Sequence, residues 1–418
     1  MKKISFSALL LLLGNLCQAQ VPDSTFISLD TLLYRVETNY PSILQYQYTI
    51  RSIEEKTAGA KAWMPPTFST GLMRFPYNTM MLKEKNDPMN QAGISFSLEQ
   101  MIPNPGKLNA RKNYYSSLVA VENNKREWTK NELRREAKIM YYNRYVSEKQ
   151  LILIKENEEL LKLLISIAEE KFANNQTQLQ TIYKAKARLT ELNNMLQMLN
   201  GRVAESNINL NMLLVRDLNT EFKIDTLLSL KEYSLSSLGL DSSVFRSDLT
   251  LISNYINSMK LEQKVMGTEA KPNFGVRVEH MQMFGMPNQW SAMGMITIPI
   301  APWASKMYQT ETESMGFQIL AMEKEKQNME LMAKRMVAEK YVMLYYETLQ
   351  YKNYQTDILP AYENNLQANL LAYRQNTGDF FVLLDAWEMV LMKKLEANDK
   401  LFNTLKLEAE YEYEREIK

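Results

Sequence analysis

Tyr373-Arg374-Gln375-Asn376 occupies the same place in the second half of the sequence as Phe172-Ala173-Asn174-Asn175 does in the first, at an offset of 201 residues. The same offset relates Lys184-Ala185 to Asp385-Ala386. A repeat of this length predicts two copies of one architecture fused in tandem. Residues 107–269 contain no proline, so we expect very long helices that turn at the quoted stretch.

Apolar residues at coiled-coil spacing follow this turn in both halves. In the first half they are Ile182, Ala185, Leu189, Leu192, Leu196 and Leu199, and in the second half Phe380, Leu384, Trp387, Leu391 and Leu395. Spacings of three and four residues place one apolar stripe on each helix. The helices are therefore predicted to run antiparallel and to pack along these stripes.

Short segments before the helices alternate apolar and polar residues. The alternating residues are Phe68, Thr70 and Leu72 against Ser69 and Gly71, Ile94, Phe96 and Leu98 against Ser95 and Ser97, and Phe274, Val276 and Val278 against Gly275, Arg277 and Glu279. Gly93 and Gly294, 201 residues apart, each open a short apolar run that ends in proline, and the hairpin regions of the two halves are expected to differ in length by a few residues. The alternation fits strands that cross a bilayer and equally fits strands half-buried on a soluble core.

The number of strands limits how they could enter a membrane. Each chain provides four, whereas the smallest membrane barrels need about eight, and an open sheet edge in lipid leaves backbone groups unpaired. Insertion would therefore require oligomerisation, and three copies would supply twelve strands. The predicted fold class is mainly α with a small β part, with two tandem repeats of a strand pair plus long antiparallel coiled-coil helices.

Residues 1–19 have the pattern of a secretory signal, with Lys2-Lys3 ahead of the apolar run 8–13 and Cys17-Gln18-Ala19 at the cleavage site. Its removal takes away the only cysteine, so no disulfide is expected. The formal net charge is +1 for the whole sequence, and loss of Lys2 and Lys3 makes it −1. This balance gives no basis for nucleic-acid binding.

With these features in place, the sequence resembles the TolC family of outer-membrane efflux proteins. The resemblance covers essentially the whole chain after the signal. The motifs that carry it are Asn39-Tyr40-Pro41, Ala62-Trp63-Met64-Pro65-Pro66, Ile296-Thr297-Ile298-Pro299-Ile300 and the segment 373–386, in which Leu384-Asp385-Ala386 follows the helix turn. It implies a homotrimer, in which a twelve-stranded β-barrel in the outer membrane continues into an α-helical barrel in the periplasm.

The repeat and the resemblance together predict the organisation of the chain. The first TolC-like repeat covers 20–216, with strands at about 66–100 and helices at about 107–215. A connecting, equatorial segment covers 217–245. The second repeat covers 246–418, with strands at about 273–300 and helices at about 304–416.

The resemblance also implies residue roles. Asp385 corresponds to an aspartate that faces the lumen at the periplasmic aperture, where three copies would form a carboxylate ring that favours cations. Tyr373 corresponds to the tip tyrosine of the family, and Asp379 is a candidate second acid of the gate. The family's second aperture aspartate and its arginine fall at Val382 and Gly378, so these are absent. The expected adaptor-docking tips are Asn175, Gln176, Thr177, Thr377 and Gly378.

His280, Met281 and Met283 form a candidate metal contact near the second hairpin. Thioether and imidazole ligands suit Cu(I) or silver, which would relate the chain to the copper/silver cation efflux branch of the family. The chain contains 27 methionines, and methionine also replaces leucine in strands and helix packing. Both interpretations of the cluster stay open.

The predicted function is the outer-membrane channel of a tripartite efflux system, which passively conducts substrates delivered by an inner-membrane transporter through a periplasmic adaptor protein. The partners are a second and third copy, the adaptor, the transporter and outer-membrane lipid. The alternatives are the duct of a protein or peptide secretion system and a soluble periplasmic coiled-coil adaptor. Because the sequence has a single histidine and no phosphate-binding loop, we predict that the protein is not an enzyme and has no cofactor.

Overall fold

A computed structural model describes residues 26–84, 87, 89–174, 177–225, 228, 230–231, 246–299 and 302–417. The predicted signal and part of the predicted connecting segment lie outside these residues. Within the described residues, no helix combines the length and the apolar character needed to cross a membrane.

Helices dominate the described residues. The helices are α1 (Leu29–Asn39), α2 (Pro41–Gly59), α3 (Pro105–Ala173), α4 (Leu179–Leu213), α5 (Ser247–Glu269), α6 (Pro302–Asn353), α7 (Leu359–Arg374) and α8 (Phe380–Arg415). The strands are β1 (Phe26–Ile27), β2 (Thr67–Met73), β3 (Gly93–Ile102), β4 (Lys223–Ile224), β5 (Asn273–Met283) and β6 (Gln289–Thr297). The predicted mainly α class with a small β part is confirmed.

The chain forms two compact units, each of which draws on both halves of the sequence. The helical unit contains the described residues of the ranges Met1–Val36, Glu136–Glu232 and Leu349–Lys406. The mixed unit contains the described residues of the ranges Glu37–Arg135, Tyr233–Thr348 and Leu407–Lys418. The two compact units do not coincide with the two predicted repeats, because each unit contains segments of both. The repeat boundaries therefore stay a prediction from the sequence.

The mixed unit contains one antiparallel sheet in the order β2-β3-β5-β6. Its register pairs Phe68 with Leu98 and Leu98 with Val278, so these apolar side chains share one face. Ser97 pairs with Ser69 and with Glu279 on the other face. The alternation predicted from the sequence is therefore the alternation of the sheet.

The second hairpin is not in register with the first at the offset of 201 residues. Gly93 is the first residue of β3, whereas Gly294 lies inside β6. The reason is the length of the connections, since residues 74–92 join β2 to β3 but only residues 284–288 join β5 to β6. Gly294, which opens the second apolar run of the sequence, therefore lies within a strand and not at its start.

The helical unit has its own core. It is built by α3, α4, α7 and α8, and Leu161, Ile182, Leu383 and Trp387 are among its buried side chains. Every residue of the two predicted stripes either belongs to this core or packs against it. The coiled-coil interpretation of the stripes is thus confirmed for α4 and α8.

The long helix α3 and the broken helix α6–α7 differ because of one proline. Helix α3 runs for 69 residues, and Asn104 caps its start by accepting a hydrogen bond from the Gly106 N–H at 2.8 Å. Pro360 lacks the N–H that a continuous helix needs, and a five-residue π-helical turn, Tyr354–Ile358, precedes it. The sequence prediction contained no such interruption.

Candidate functional site: a helix turn and a two-faced sheet

The turn between α7 and α8, residues 375–379, lies in the helical unit and closes tightly. The N–H groups of Thr377 and Gly378 both donate to the carbonyl of Ala372, at 2.9 and 3.0 Å. Asn376 adopts a left-handed conformation with φ of 59°. This geometry satisfies the last carbonyls of α7 and reverses the chain within a few residues.

Gly378 and Asp379 have structural reasons for their positions. A Cβ atom at Gly378 would lie 2.9 Å from the Tyr373 backbone nitrogen, so a larger residue would displace the turn. The Asp379 carboxylate accepts a hydrogen bond from the Phe381 N–H at 2.8 Å. It therefore caps the N-terminus of α8, where a negative charge is also favoured by the helix dipole.

Tyr373 is buried beside this turn, at 5% exposure, and its ring packs edge-on against Phe380. Its hydroxyl has no hydrogen-bond partner among the described residues. Burial raises the pKa of the Tyr373 hydroxyl, and the nearby Asp379 carboxylate raises it further. The phenol thus stays protonated as a donor without a partner, which costs free energy in the isolated chain.

Lys171 connects the end of α3 to this turn. Its ammonium lies 3.9 Å from the centre of the Tyr373 ring and donates to the Tyr373 carbonyl at 3.0 Å and to the Asn376 side-chain oxygen at 2.7 Å. Three ties from one cation hold the two helix ends together. Sequence reasoning missed Lys171, because its partners in the turn lie about 200 residues away in the sequence.

A cleft of about 500 Å³ opens between these groups. It is lined mainly by polar side chains and receives contributions from both helix turns, namely Lys171, Thr177, Gln178, Thr181, Tyr373, Asn376, Gly378, Asp379, Phe380 and Phe381. The structure therefore brings together Thr177, Gly378, Tyr373 and Asp379 from the predicted set. Asn175 and Gln176 lie outside the described residues, and Thr377 is exposed next to the cleft.

Asp385 lies apart from the cleft on an exposed stripe of α8. Val382, Met389 and Met392 are the exposed hydrophobic residues of the same stripe, at spacings of three and four residues with Asp385. The opposite side of α8 is buried in the core through Leu384 and its neighbours. Asp385 makes no hydrogen bond or ion pair with the described residues, so its carboxylate is available to water or to another chain.

The sheet has two chemically different faces. One face carries Phe68, Leu72, Phe96, Leu98, Phe274, Val276, Val278, Trp290 and Ile296, all of them exposed. The other face carries serine and methionine side chains, together with Thr67, Gln289 and Thr297, and an ion pair in which Arg277 donates to Glu99 at 2.6 Å. Nothing in the described chain covers the apolar face.

The register separates the three residues of the candidate metal contact. His280 pairs with Phe96 and Trp290 on the apolar face, whereas Met281 and Met283 point to the polar face. His280 therefore does not share one ion with the two methionines. Met281 pairs with Ser95 and Met283 with Gly93, so the methionines remain candidates on the polar face.

No protein-family model matches the sequence, and no curated protein matches it. Solved structures do match over nearly the whole chain. They include the outer-membrane channel OprN (13% identity, 93% of this chain and 89% of that chain, TM-score 0.71) and CusC, described for its transmembrane channel formation (13%, 94% and 93%, TM-score 0.74). The outer membrane protein VceC of Vibrio cholerae is similar too (12%, 93% and 95%, TM-score 0.72).

At these identities the comparison concerns the fold. The chain has the fold of TolC-like outer-membrane channels, and the resemblance found in the sequence is confirmed at that level.

Proposed function

We propose that this protein is an outer-membrane channel that works as the passive exit duct of a tripartite efflux system. The observation that carries the proposal is the exposed apolar face of the sheet. An uncovered surface with Phe, Leu, Val and Trp side chains on all four strands is costly in water. Such an apolar face is stable in contact with lipid. Its presence argues against a soluble adaptor protein.

The edges of the sheet support an oligomer. Strands β2 and β6 each pair on one side only within the described sheet. In lipid, the unpaired N–H and C=O groups of these edges would cost several kcal/mol each. Joining β2 of one copy to β6 of the next removes both edges, and three copies give a closed ring of twelve strands around the polar face.

The helix turns of the helical unit are the proposed docking surface for a periplasmic adaptor protein. The cleft beside Tyr373 is lined by Lys171 and adjoins a hydroxyl that the described residues leave without a partner, so a polar group of the adaptor would give that hydroxyl a hydrogen bond. Asp385, exposed on α8, is the proposed aperture acid. Localisation in the outer membrane and delivery of substrate by an inner-membrane transporter belong to the same proposal.

The test is the mass and conductance of the purified full-length protein in detergent and planar bilayers. A trimer that conducts ions supports the proposal, whereas a water-soluble monomer without conductance contradicts it. Asp385→Ala should lower the selectivity for cations or relieve block by polyvalent cations, because a carboxylate ring would be lost. Asp385→Asn is the matched variant of equal size. Unchanged selectivity and block in both variants would remove Asp385 from the gate.

A further inference from the structure

The methionines of the strands all lie on one face of the sheet. In the described strands these are Met73, Met101, Met281, Met283, Met293 and Met295, and each shares the face of Glu99 and Arg277. If methionine only replaced leucine, it would occupy the apolar face, where Phe, Leu, Ile, Val and Trp are found instead. The thioethers of the described strands are therefore all on the face of Glu99 and Arg277, and thioether sulfur is a polarisable group.

Two of these methionines meet over a glycine. Gly275 of β5 pairs with Met101 of β3 on one side and with Met295 of β6 on the other. A Cβ atom at Gly275 would lie 2.8 Å from the Met101 sulfur and 3.0 Å from the Met295 methyl carbon. Both side chains thus lean over the same buried glycine, and the missing Cβ leaves them the room to do so.

The opposite end of the sheet repeats the pattern. Gly93 of β3 pairs with Met73 on one side and with Met283 on the other. A methionine on each side of a glycine therefore occurs twice on the same face. Chance placement of unrelated packing residues does not predict this arrangement.

We propose that Met101 and Met295 form a binding site for a soft monovalent metal ion, Cu(I) or Ag(I), on the polar face of the sheet. Thioether sulfurs are soft ligands that select Cu(I) and leave Mg²⁺, Ca²⁺ and Zn²⁺ to oxygen and nitrogen donors. The Met101 sulfur and the Met295 methyl group lie near the same glycine, and in the proposed site rotation about the side-chain bonds of Met295 brings its sulfur to the ion that Met101 binds. No redox step is involved, since the ion enters and leaves in the same oxidation state.

The proposal rests on the proposed function in one respect, that the polar face encloses the water-filled path. Under that condition the ions on the path would meet the thioether pair. Binding itself requires only the sheet, so the two proposals can fail separately.

The experiment is silver binding to the full-length protein in detergent, in a chloride-free nitrate buffer, measured by equilibrium dialysis with metal analysis. Met101→Leu/Met295→Leu removes both sulfurs with little change in volume. We expect this variant to bind one Ag(I) fewer per chain. The affinity for this ion should fall by more than about 100-fold, because changes to groups that only support a metal's direct ligands already lower affinity by about 10- to 100-fold.

The matched control is Met198→Leu/Met307→Leu, which removes two exposed sulfurs from α4 and α6. It should keep the site that the strand variant loses. Equal losses in both variants, or no loss in the strand variant, would overturn the proposal. X-ray absorption at the silver edge of the wild-type protein, loaded with one ion per chain, gives a test that needs no variant. Sulfur neighbours are expected, and oxygen or nitrogen neighbours alone would contradict the site.

Channel measurements separate the two proposals. A protein that conducts but binds silver equally well without Met101 and Met295 keeps the channel and loses the metal site. A protein that loses silver with these sulfurs but does not conduct keeps the metal site and loses the channel.

Discussion

The helical unit and the sheet use the same apolar residue types in opposite ways. In the helical unit, Trp387 is 2% exposed within a core that α3, α4, α7 and α8 build together. On the sheet, Trp290 is 75% exposed and nothing in the described chain covers it. The difference teaches that one region is stable through its own packing, whereas the other depends on surroundings that the chain does not provide.

Trp387→Ala is the change with the largest expected effect on stability, because it removes a large buried side chain from the core of the helical unit. Loss of the buried ring and of its hydrogen bond to the Asn157 side chain, 3.1 Å long, should lower the free energy of unfolding by about 3–5 kcal/mol. Urea unfolding of the detergent-solubilised protein measures it. Trp290→Ala is the matched control, and a loss of equal size there would mean that the sheet is also packed.

Leu98→Lys tests whether the stability of the sheet depends on contact between its apolar face and lipid. If the apolar face contacts lipid, a lysine near the middle of β3 should destabilise the protein folded into vesicles by about 2–4 kcal/mol. Ser97→Lys, one residue earlier on the polar face and opposite Glu279, should cost little. Folding into lipid vesicles followed by tryptophan fluorescence gives both values, and equal costs would contradict a lipid-facing side.

Asp379→Ala should have the smallest effect on stability, about 1 kcal/mol, because it removes one helix cap. Asp385→Ala, in the same helix but without a partner in the described chain, should leave the free energy of unfolding unchanged while it alters ion selectivity. The pair thus separates a structural carboxylate from a functional one. A stability loss at position 385 as large as that at 379 would mean that Asp385 has an unrecognised structural contact.

Much of the fold could be predicted because the spacing of apolar residues within a few positions of the sequence determines which face of a strand or helix they occupy. The alternation around Leu98 and the stripe through Leu192 follow from spacings of two, three and four residues, which determine the face of a strand or helix directly. The predicted cluster of His280 with Met281 and Met283 broke this same rule, since neighbours in a strand point to opposite faces.

The helix-turn site was less predictable because its contacts join distant parts of the sequence. Lys171 and Tyr373 are 202 residues apart in the sequence, and no local sequence pattern predicts that the Lys171 ammonium lies over the Tyr373 ring. Asp379 was predicted for a gate, but an aspartate directly before a helix is also the usual sign of a cap, and the structure uses it so. Its role in a gate stays a prediction, as do those of Tyr373 and Asp385.

The two faces of the sheet also restrict how the length of this chain can change over time. One residue inserted into β5 would turn every following side chain to the other face, so that thioethers and Arg277 would meet the apolar side. Single insertions should therefore survive only in the connections, and these do differ, with residues 74–92 in one hairpin and 284–288 in the other. Within the strands, neutral drift in length is confined to steps of two.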